Sequence, residues 1–414
     1  MIPARVVGGL LIAAPALAFY ALIAANAINV PYLDDYDTVL LFLEGPASLQ
    51  DWFAPHVEHR PVVLRLVAEA SAALSGSVDF RVLAFVGNAG VLALAVVLYR
   101  GFRPTAALPV KSLAFVPAAW FLFQPQSFDS IFWATSSLSN GWVLALCGAG
   151  FLALENRRPT GVALAALCVT FAVGAQANGL VALPVAFAVL VAQRRTAASP
   201  LWLVFATGLS TLYALGLAPP DGHPGVSEAL SSPGVVPYAL GFLGAVGGLG
   251  NKGTALAVGA ALLLSTLFLS RTGLRHRPVL PALLWVVIGS AVLNALGREF
   301  IAGPEFAVST VRYRSYGAAA LACAYLAWVQ SLAPGSLRKA FVAAGISAGV
   351  AFGVASFAFG IERSTQLSKR LEVGMHAWPA TSRGLRHPDS QYAAERLERA
   401  VSVGRYRPPR TDDD

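Results

Sequence analysis

Charge is what this sequence lacks most. Lys, Arg, Asp and Glu make up 13% of its 414 residues, against about 25% in a soluble domain. So few charged groups cannot cover a water-facing surface of that size, which excludes an ordinary soluble fold. Cysteine is nearly absent too: Cys147, Cys168 and Cys323 each stand inside an apolar run, so neither a disulfide framework nor a metal-ligand spacing is available. No internal repeat and no phosphate-cradling glycine pattern occurs. The glycine-rich stretch 244–250 lacks the strand and helix that such a loop requires, and in an apolar run it reads as close helix packing. The net charge of +8 comes from basic residues scattered singly or in pairs between apolar runs. They mark membrane topology rather than a nucleic-acid surface.

What fills the chain is apolar sequence, 56% of all residues. Runs near 6–28, 82–99, 112–124, 140–155, 160–176, 179–194, 200–218, 254–270, 278–296, 316–333 and 340–360 predict an all-α polytopic membrane protein of about eleven transmembrane helices. The first run is long for a signal peptide and reads as an uncleaved anchor. Two stretches, 61–74 and 235–250, are short for a span and read as interfacial or re-entrant helices. With both left out of the count, Arg5, Arg100, Arg103, Lys111, Arg157, Arg158, Arg194, Arg195, Arg271, Arg275, Arg277, Arg338 and Lys339 share one side, opposed only by Glu155. That is the positive-inside pattern, and it predicts a cytoplasmic N-terminus and an outer C-terminus. The chain then divides into a transmembrane domain, 1–360, with its first outer loop at 30–81, and a short outer tail, 361–414, helical at 389–403. The inner loops are short and poor in polar groups. A site is therefore expected outside, among the segments 30–60, 124–140, 219–234, 297–315 and the tail.

The first outer loop is bracketed by two polar clusters, Leu33-Asp34-Asp35-Tyr36-Asp37 and His56-Val57-Glu58-His59-Arg60. Three crowded carboxylates repel one another, which raises at least one carboxyl toward the range of a general base. Such a crowd also suits a divalent cation, with Asp34, Asp35 and His56 as candidate ligands. The plain alternative is a solvated acidic loop. The apolar stretch 38–43 and Trp52-Phe53 are expected to hold the loop on the membrane surface, where a lipid phosphate reaches. His56 and His59 are spaced by three, not by the four of a helical zinc pair. The Arg60 fork suits a phosphate or carboxylate, whereas Arg65 reads as a snorkelling side chain. Further along, Arg298 ends the ninth span, and Arg312-Tyr313 opens the tenth, as anchors for a phosphate or as interface residues. Asn140 and Asn178 read as polar turns.

In pattern the chain resembles the GT-C superfamily of integral-membrane glycosyltransferases, through its many spans and the acid-bearing first outer loop with interfacial helices. Asp34-Asp35-Tyr36, Glu58-His59-Arg60 and Arg312-Tyr313 are similar to short motifs of uncharacterised bacterial membrane proteins of that type. The likeness covers the membrane region in architecture, but in motif only these three pieces. It implies an inverting glycosyltransferase of the bacterial cytoplasmic membrane, moving a sugar from a polyprenyl-phosphate donor to a glycan, lipid or protein acceptor on the outer face. Asp34 or Asp35 would be the base and Arg60, Arg298 and Arg312 the phosphate binders. Asp37, Glu58, His59 and Tyr313 would stand by the substrate, Glu58 and His59 without an assigned role. Membrane lipids are implied as partners, nucleic acid is not, and a divalent cation is an open question. The tail is too small for a carbohydrate-binding module, so acceptor recognition falls to the loops. A transporter or flippase would place ionisable groups in mid-span, where this sequence has almost none. A polymerase or ligase of lipid-linked glycans would rely on Arg298 and Arg312 more than on a first-loop acid, and a membrane scaffold would leave the acids solvated.

Overall fold

A computed structural model describes residues 4–104, 111–217, 226–381 and 384–409. The expected loop at 219–234 and the end of the tail lie partly outside the described residues. Among those described the chain is all-helical. In chain order the bundle is built from α1 (Ala4–Asn26), α2 (Val62–Ser75), α3 (Phe80–Gly101), α4 (Lys111–Leu122), α5 (Ala134–Leu154), α6 (Pro159–Ala175), α7 (Ala182–Ala192), α8 (Ala198–Ala214), α9 (Val235–Gly248), α10 (Lys252–His276), α11 (Val279–Ala302), α12 (Arg314–Ser331), α13 (Ser336–Thr381) and α14 (Ser390–Ser402).

Every apolar run forms a helix, but length separates them. Among the described residues six are long and apolar enough to cross a membrane: α1, α3, α5, α10, α11 and α13. Helices α4, α6, α7 and α8 have 12, 17, 11 and 17 residues, short of the about 20 that a bilayer core requires. The stretch 235–250 is, as expected, shorter than a span. It forms α9, which packs among α10, α11 and α12 with Tyr238, Phe242, Leu243, Ala245 and Val246 buried. Glycine allows this: a Cβ on Gly244 would lie 1.8 Å from the Ala255 carbonyl oxygen, and one on Gly259 2.0 Å from that of Leu240. The two backbones therefore touch, as small residues permit between helices in lipid.

The basic residues that the charge pattern grouped together meet at one end of the bundle. Arg103 pairs with Glu155 at 2.5 Å, Arg277 caps the Arg103 carbonyl, and Arg195 donates to the carbonyls of Leu154, Asn156, Arg157 and Arg158. The first loop, the 124–140 segment, the end of α11 and the tail gather at the other end. Helix α13 runs unbroken through the expected boundary at 360. Its 46 residues measure about 69 Å at 1.5 Å per residue, twice the about 30 Å of a bilayer core.

The chain then turns back and docks on the first loop. The Leu33 amide donates to the Arg386 carbonyl and that of Val78 to Arg405, each at 2.8 Å. Tyr406 donates to the Asn29 carbonyl at 2.6 Å. Helix α14 begins at the Asp389 cap and buries Ala393, Ala394, Leu397 and Ala400. Its Arg396 and Arg399 hold Glu44 at 2.8 and 3.1 Å. This clamp also changes the reading of 38–43: Thr38, Val39, Leu40 and Leu43 have no exposed surface and belong to the core. Leu41 alone of that stretch is exposed, and the other exposed apolar groups of the loop are Leu49 and the expected Phe53, on a short helix closed by a Ser48–Asp51 capping box, with Val57 and with Leu66 and Leu74 of α2. Replacing Glu44 by Ala removes two charge-assisted pairs, a loss of about 2 kcal/mol. We expect trypsin to cleave the tail of the purified Glu44→Ala protein faster than that of wild type while the bundle stays intact; equal cleavage rates would show that the pairs do not hold the tail.

Candidate active site at the loop end of the bundle

The two adjacent aspartates have opposite surroundings. Asp35 has no exposed surface. Its carboxylate accepts from the Tyr32 amide at 3.1 Å, the Ala134 amide at 3.3 Å, the Thr135 amide at 2.8 Å and the Thr135 hydroxyl at 2.6 Å. Ala134 and Thr135 open α5, so Asp35 caps that helix from across the fold, where free amides and the helix dipole favour an anion. Burial pushes its carboxyl up to about 7, the donors pull against that rise, and Asp34 adds only a minor part. Carboxylate crowding, the reason expected from sequence, is thus secondary to burial. Asp34 is 43% exposed and faces His56, whose Nε2 lies 3.6 Å from its carboxylate. Asp37 turns to the tail and lies 3.2 Å from His387 Nε2.

A tight turn presents the second cluster. His56 and His59 exchange backbone hydrogen bonds of 2.7 and 2.9 Å, with Val57 in the left-handed region at φ 50°. Glu58 reaches Arg298 of α11 at 2.5 Å, and its carboxylate lies 3.7 Å from His59. Burial pushes the Glu58 carboxyl up, but His59 and Arg298 outweigh it and hold it below its ordinary range. Burial, with Arg298 and His56 adding to it, holds His59 below its ordinary 6.5. Several polar atoms here are buried without a partner: His56 Nε2, Glu58 Oε2, His59 Nδ1, Tyr238 Oη and Trp133 Nε1.

The structure divides the arginines by role. Arg60 spends its guanidinium on the carbonyls of Phe53, Tyr213 and Leu215. Arg65, 4% exposed, spends its own on those of Trp52 and Ala54. Arg60 therefore positions the loop rather than presenting a free fork, and Arg65 is a buried clamp rather than a snorkelling chain. Arg312 is different. It lies over the Trp133 and Tyr313 rings at 5.4 Å each, an arrangement that holds the cation by the ring faces. Of the three candidate metal ligands only Asp34 and His56 come together, because Asp35 is turned to α5; among the described residues no three His, Cys, Asp or Glu group as a ligand set.

Sequence reasoning counted the 124–140 segment among the places for a site but did not single out Asp129, Trp133 or Thr135 in it. Asp129, its single acid, lies near Arg312 and Arg314, and burial pushes it up to about 6 against their pull. Trp133 packs edge-on to Tyr32 at 5.9 Å, and Thr135 anchors Asp35. A lone acid followed by Trp-Ala-Thr at a helix start was the available signal. Asn140 lies inside α5 rather than in a turn, and with Asn178 and Gln176 it surrounds the Tyr316 hydroxyl at 3.2, 2.9 and 2.5 Å.

Two outcomes follow from this geometry. At pH 8, Asp35→Asn leaves one acceptor for four donors and should cost about 2–3 kcal/mol; an unchanged unfolding temperature in detergent would remove Asp35 from the frame. For His59 the folded state binds its proton less well than the unfolded chain, so its contribution is full above the ordinary 6.5 and is lost as pH falls below it. Relative to His59→Gln, wild type should therefore lose unfolding temperature from pH 8 to 5, while Asp35 and Asp129, whose carboxyls burial raises, act in the opposite direction in both proteins; an identical slope in the variant would refute it.

No family model matches the sequence, and no curated protein matches it. Among solved structures the chain is similar to the archaeal oligosaccharyltransferase AglB from Archaeoglobus fulgidus in complex with an inhibitory peptide and a dolichol-phosphate, at 14% identity and a TM-score of 0.49, over 98% of this chain and 60% of that one. It is also similar to an Archaeoglobus fulgidus oligosaccharyltransferase in complex with Zn and sulfate, at 16% identity and a TM-score of 0.41, over 98% and 58%. This chain thus corresponds to about three fifths of each of those proteins, and likeness of this degree assigns it no role.

Proposed function

We propose that the chain is an inverting membrane glycosyltransferase of GT-C-like build, taking a sugar from a polyprenyl-phosphate donor to an acceptor hydroxyl at the outer face of a bacterial cytoplasmic membrane. The observation that carries this reading is the meeting, at one end of the bundle, of a partly exposed carboxylate, Asp34, with arginines from the far half of the chain. Glu58 in the same loop binds Arg298, and Arg312 stands by Trp133 and Tyr313. The positive-inside pattern supports an outer location for this end, since the basic loops meet at the opposite one.

In this reading Asp34 is the base, because Asp35 is saturated with donors and Asp37 faces His387. The acceptor oxygen attacks the anomeric carbon as its proton passes to the Asp34 carboxylate. The carbon–oxygen bond to the lipid phosphate breaks, and its electron pair leaves with that phosphate. Arg312 and Arg298 meet the growing negative charge with fixed positive charge, which lowers the barrier because no solvent has to reorganise. The Tyr313 and Trp133 rings hold Arg312 without neutralising it.

Asp34→Asn should fold with the unfolding temperature of wild type yet lose about 100-fold or more in transfer from a polyprenyl-phosphate sugar. Full activity would sink the assignment. Arg312→Gln should also lose transfer. Loss in Arg298→Gln and Arg312→Gln with retention in Asp34→Asn would favour a polymerase or ligase of lipid-linked glycans instead.

A further inference from the structure

We propose that the cleft between the outward part of α13 and the tail is a binding site for an acidic chain, so that the acceptor in the reaction above is an anionic glycan; the acceptor role, though not the binding, rests on that reading. The cleft is a cavity of about 630 Å³. One wall is the α13 face carrying Arg363, Gln366, Leu367 and Arg370, whose spacing of three, four and seven residues puts them in one stripe. The other wall is Arg386 and His387 of the tail, and the floor includes Tyr32 and Leu33. No carboxylate lines it among the described residues. Of the wall residues His387 faces Asp37 and Gln366 donates to Glu362, whereas the carboxylates of Glu44, Glu69 and Glu58 are held by other arginines, Arg396 and Arg399, Arg405 and Arg298.

Behind the Arg363 wall a further arginine lies close. Arg363 and Arg314 both contact the Phe359 ring, at 3.8 and 4.8 Å. Arg314 is 3% exposed, and its Nε and Nη1 have no hydrogen-bond partner, although the Asp129 carboxyl lies near. Buried guanidinium donors without an acceptor are costly, and an anion satisfies them.

Geometry separates an extended chain from a lipid headgroup. Arg370 lies two turns beyond Arg363, about 10 Å further along the helix axis, and α13 carries that axis outward from the membrane. A headgroup phosphate at the membrane surface engages the base alone, whereas a chain with acid groups on several units engages both arginines and Arg386. The cleft also ends where the chemistry is proposed to begin. Leu33 in its floor precedes Asp34, and its amide is bonded to the Arg386 carbonyl at 2.8 Å.

The test is binding to the full-length protein in a neutral detergent, with a fluorescently labelled oligogalacturonate and a dextran oligomer of equal length as probes. The acidic probe should bind, more weakly as salt rises, and the dextran should not. The double variant Arg370→Gln, Arg386→Gln should lose about 10-fold or more in affinity at an unchanged unfolding temperature, while the corresponding double Lys variant regains most of it. Asp34→Asn should bind the chain as wild type does. Because binding is read without turnover, an active Asp34→Asn protein would sink the transfer reading while leaving the binding result standing. Equal binding of dextran, or wild-type affinity in the double Gln variant, would overturn the proposal. So would displacement of the oligogalacturonate by nanodiscs containing phosphatidylglycerol but not by neutral ones, which would assign the cleft to a lipid headgroup.

Discussion

A carboxylate under the first amides of a membrane helix is the contact on which the loop end of this protein depends. Asp35 reaches from the first loop to the start of α5 and accepts three hydrogen bonds there, with a fourth from the Tyr32 amide of its own loop. A helix start exposes amides that nothing within the helix can satisfy. A buried anion among them settles two needs at once, since the amides gain an acceptor and the carboxylate gains donors. The consequence is register: with Asp35 pinned, Asp34 points the other way, toward His56, and Asp37 points to the tail. A π-helical turn, Tyr36–Leu40, and the left-handed Leu33 at φ 50° accommodate this pinned geometry. Such local departures from regular helix gather where surrounding contacts over-determine the backbone.

The same economy sorts the arginines. A guanidinium whose donors all end on carbonyls is a strut, and Arg60 and Arg65 are struts that tie the loop to the end of α8 and to its own turn. A guanidinium held only by ring faces keeps its donors for a ligand, as Arg312 does. Arg298 stands between these cases, paired to one carboxylate oxygen of Glu58. Charge alone does not tell them apart, because all four residues carry the same one. What distinguishes them is which acceptors the fold brings within reach.

The tail is a third wall rather than an appendage. Helix α13 leaves the bundle far enough for the chain to double back, and the returning segment pairs arginines with Glu44 and Glu69 while its carbonyls accept from the Leu33 and Val78 amides.

Much of the architecture was legible in the sequence. Apolar runs have to become helices in lipid, because every backbone amide needs an internal partner there, and each run did so. The gathering of basic loops at one end, the helical stretch in the tail and the first loop as a polar centre were readable for the same reason: composition reports the solvent that a segment meets. Length limited this reading, for apolar character does not say whether a helix reaches across a bilayer or, like α9, packs inside on glycine contacts. The site was legible only as residue types. That Asp35 is frame and Asp34 open, that Arg60 is spent and Arg312 free, and that Asp129, Trp133 and Arg386 join them was decided by tertiary structure alone. Hydrogen bonds and ring contacts form between groups a hundred or more residues apart, and a donor or acceptor carries no mark in the sequence of the partner that will satisfy it.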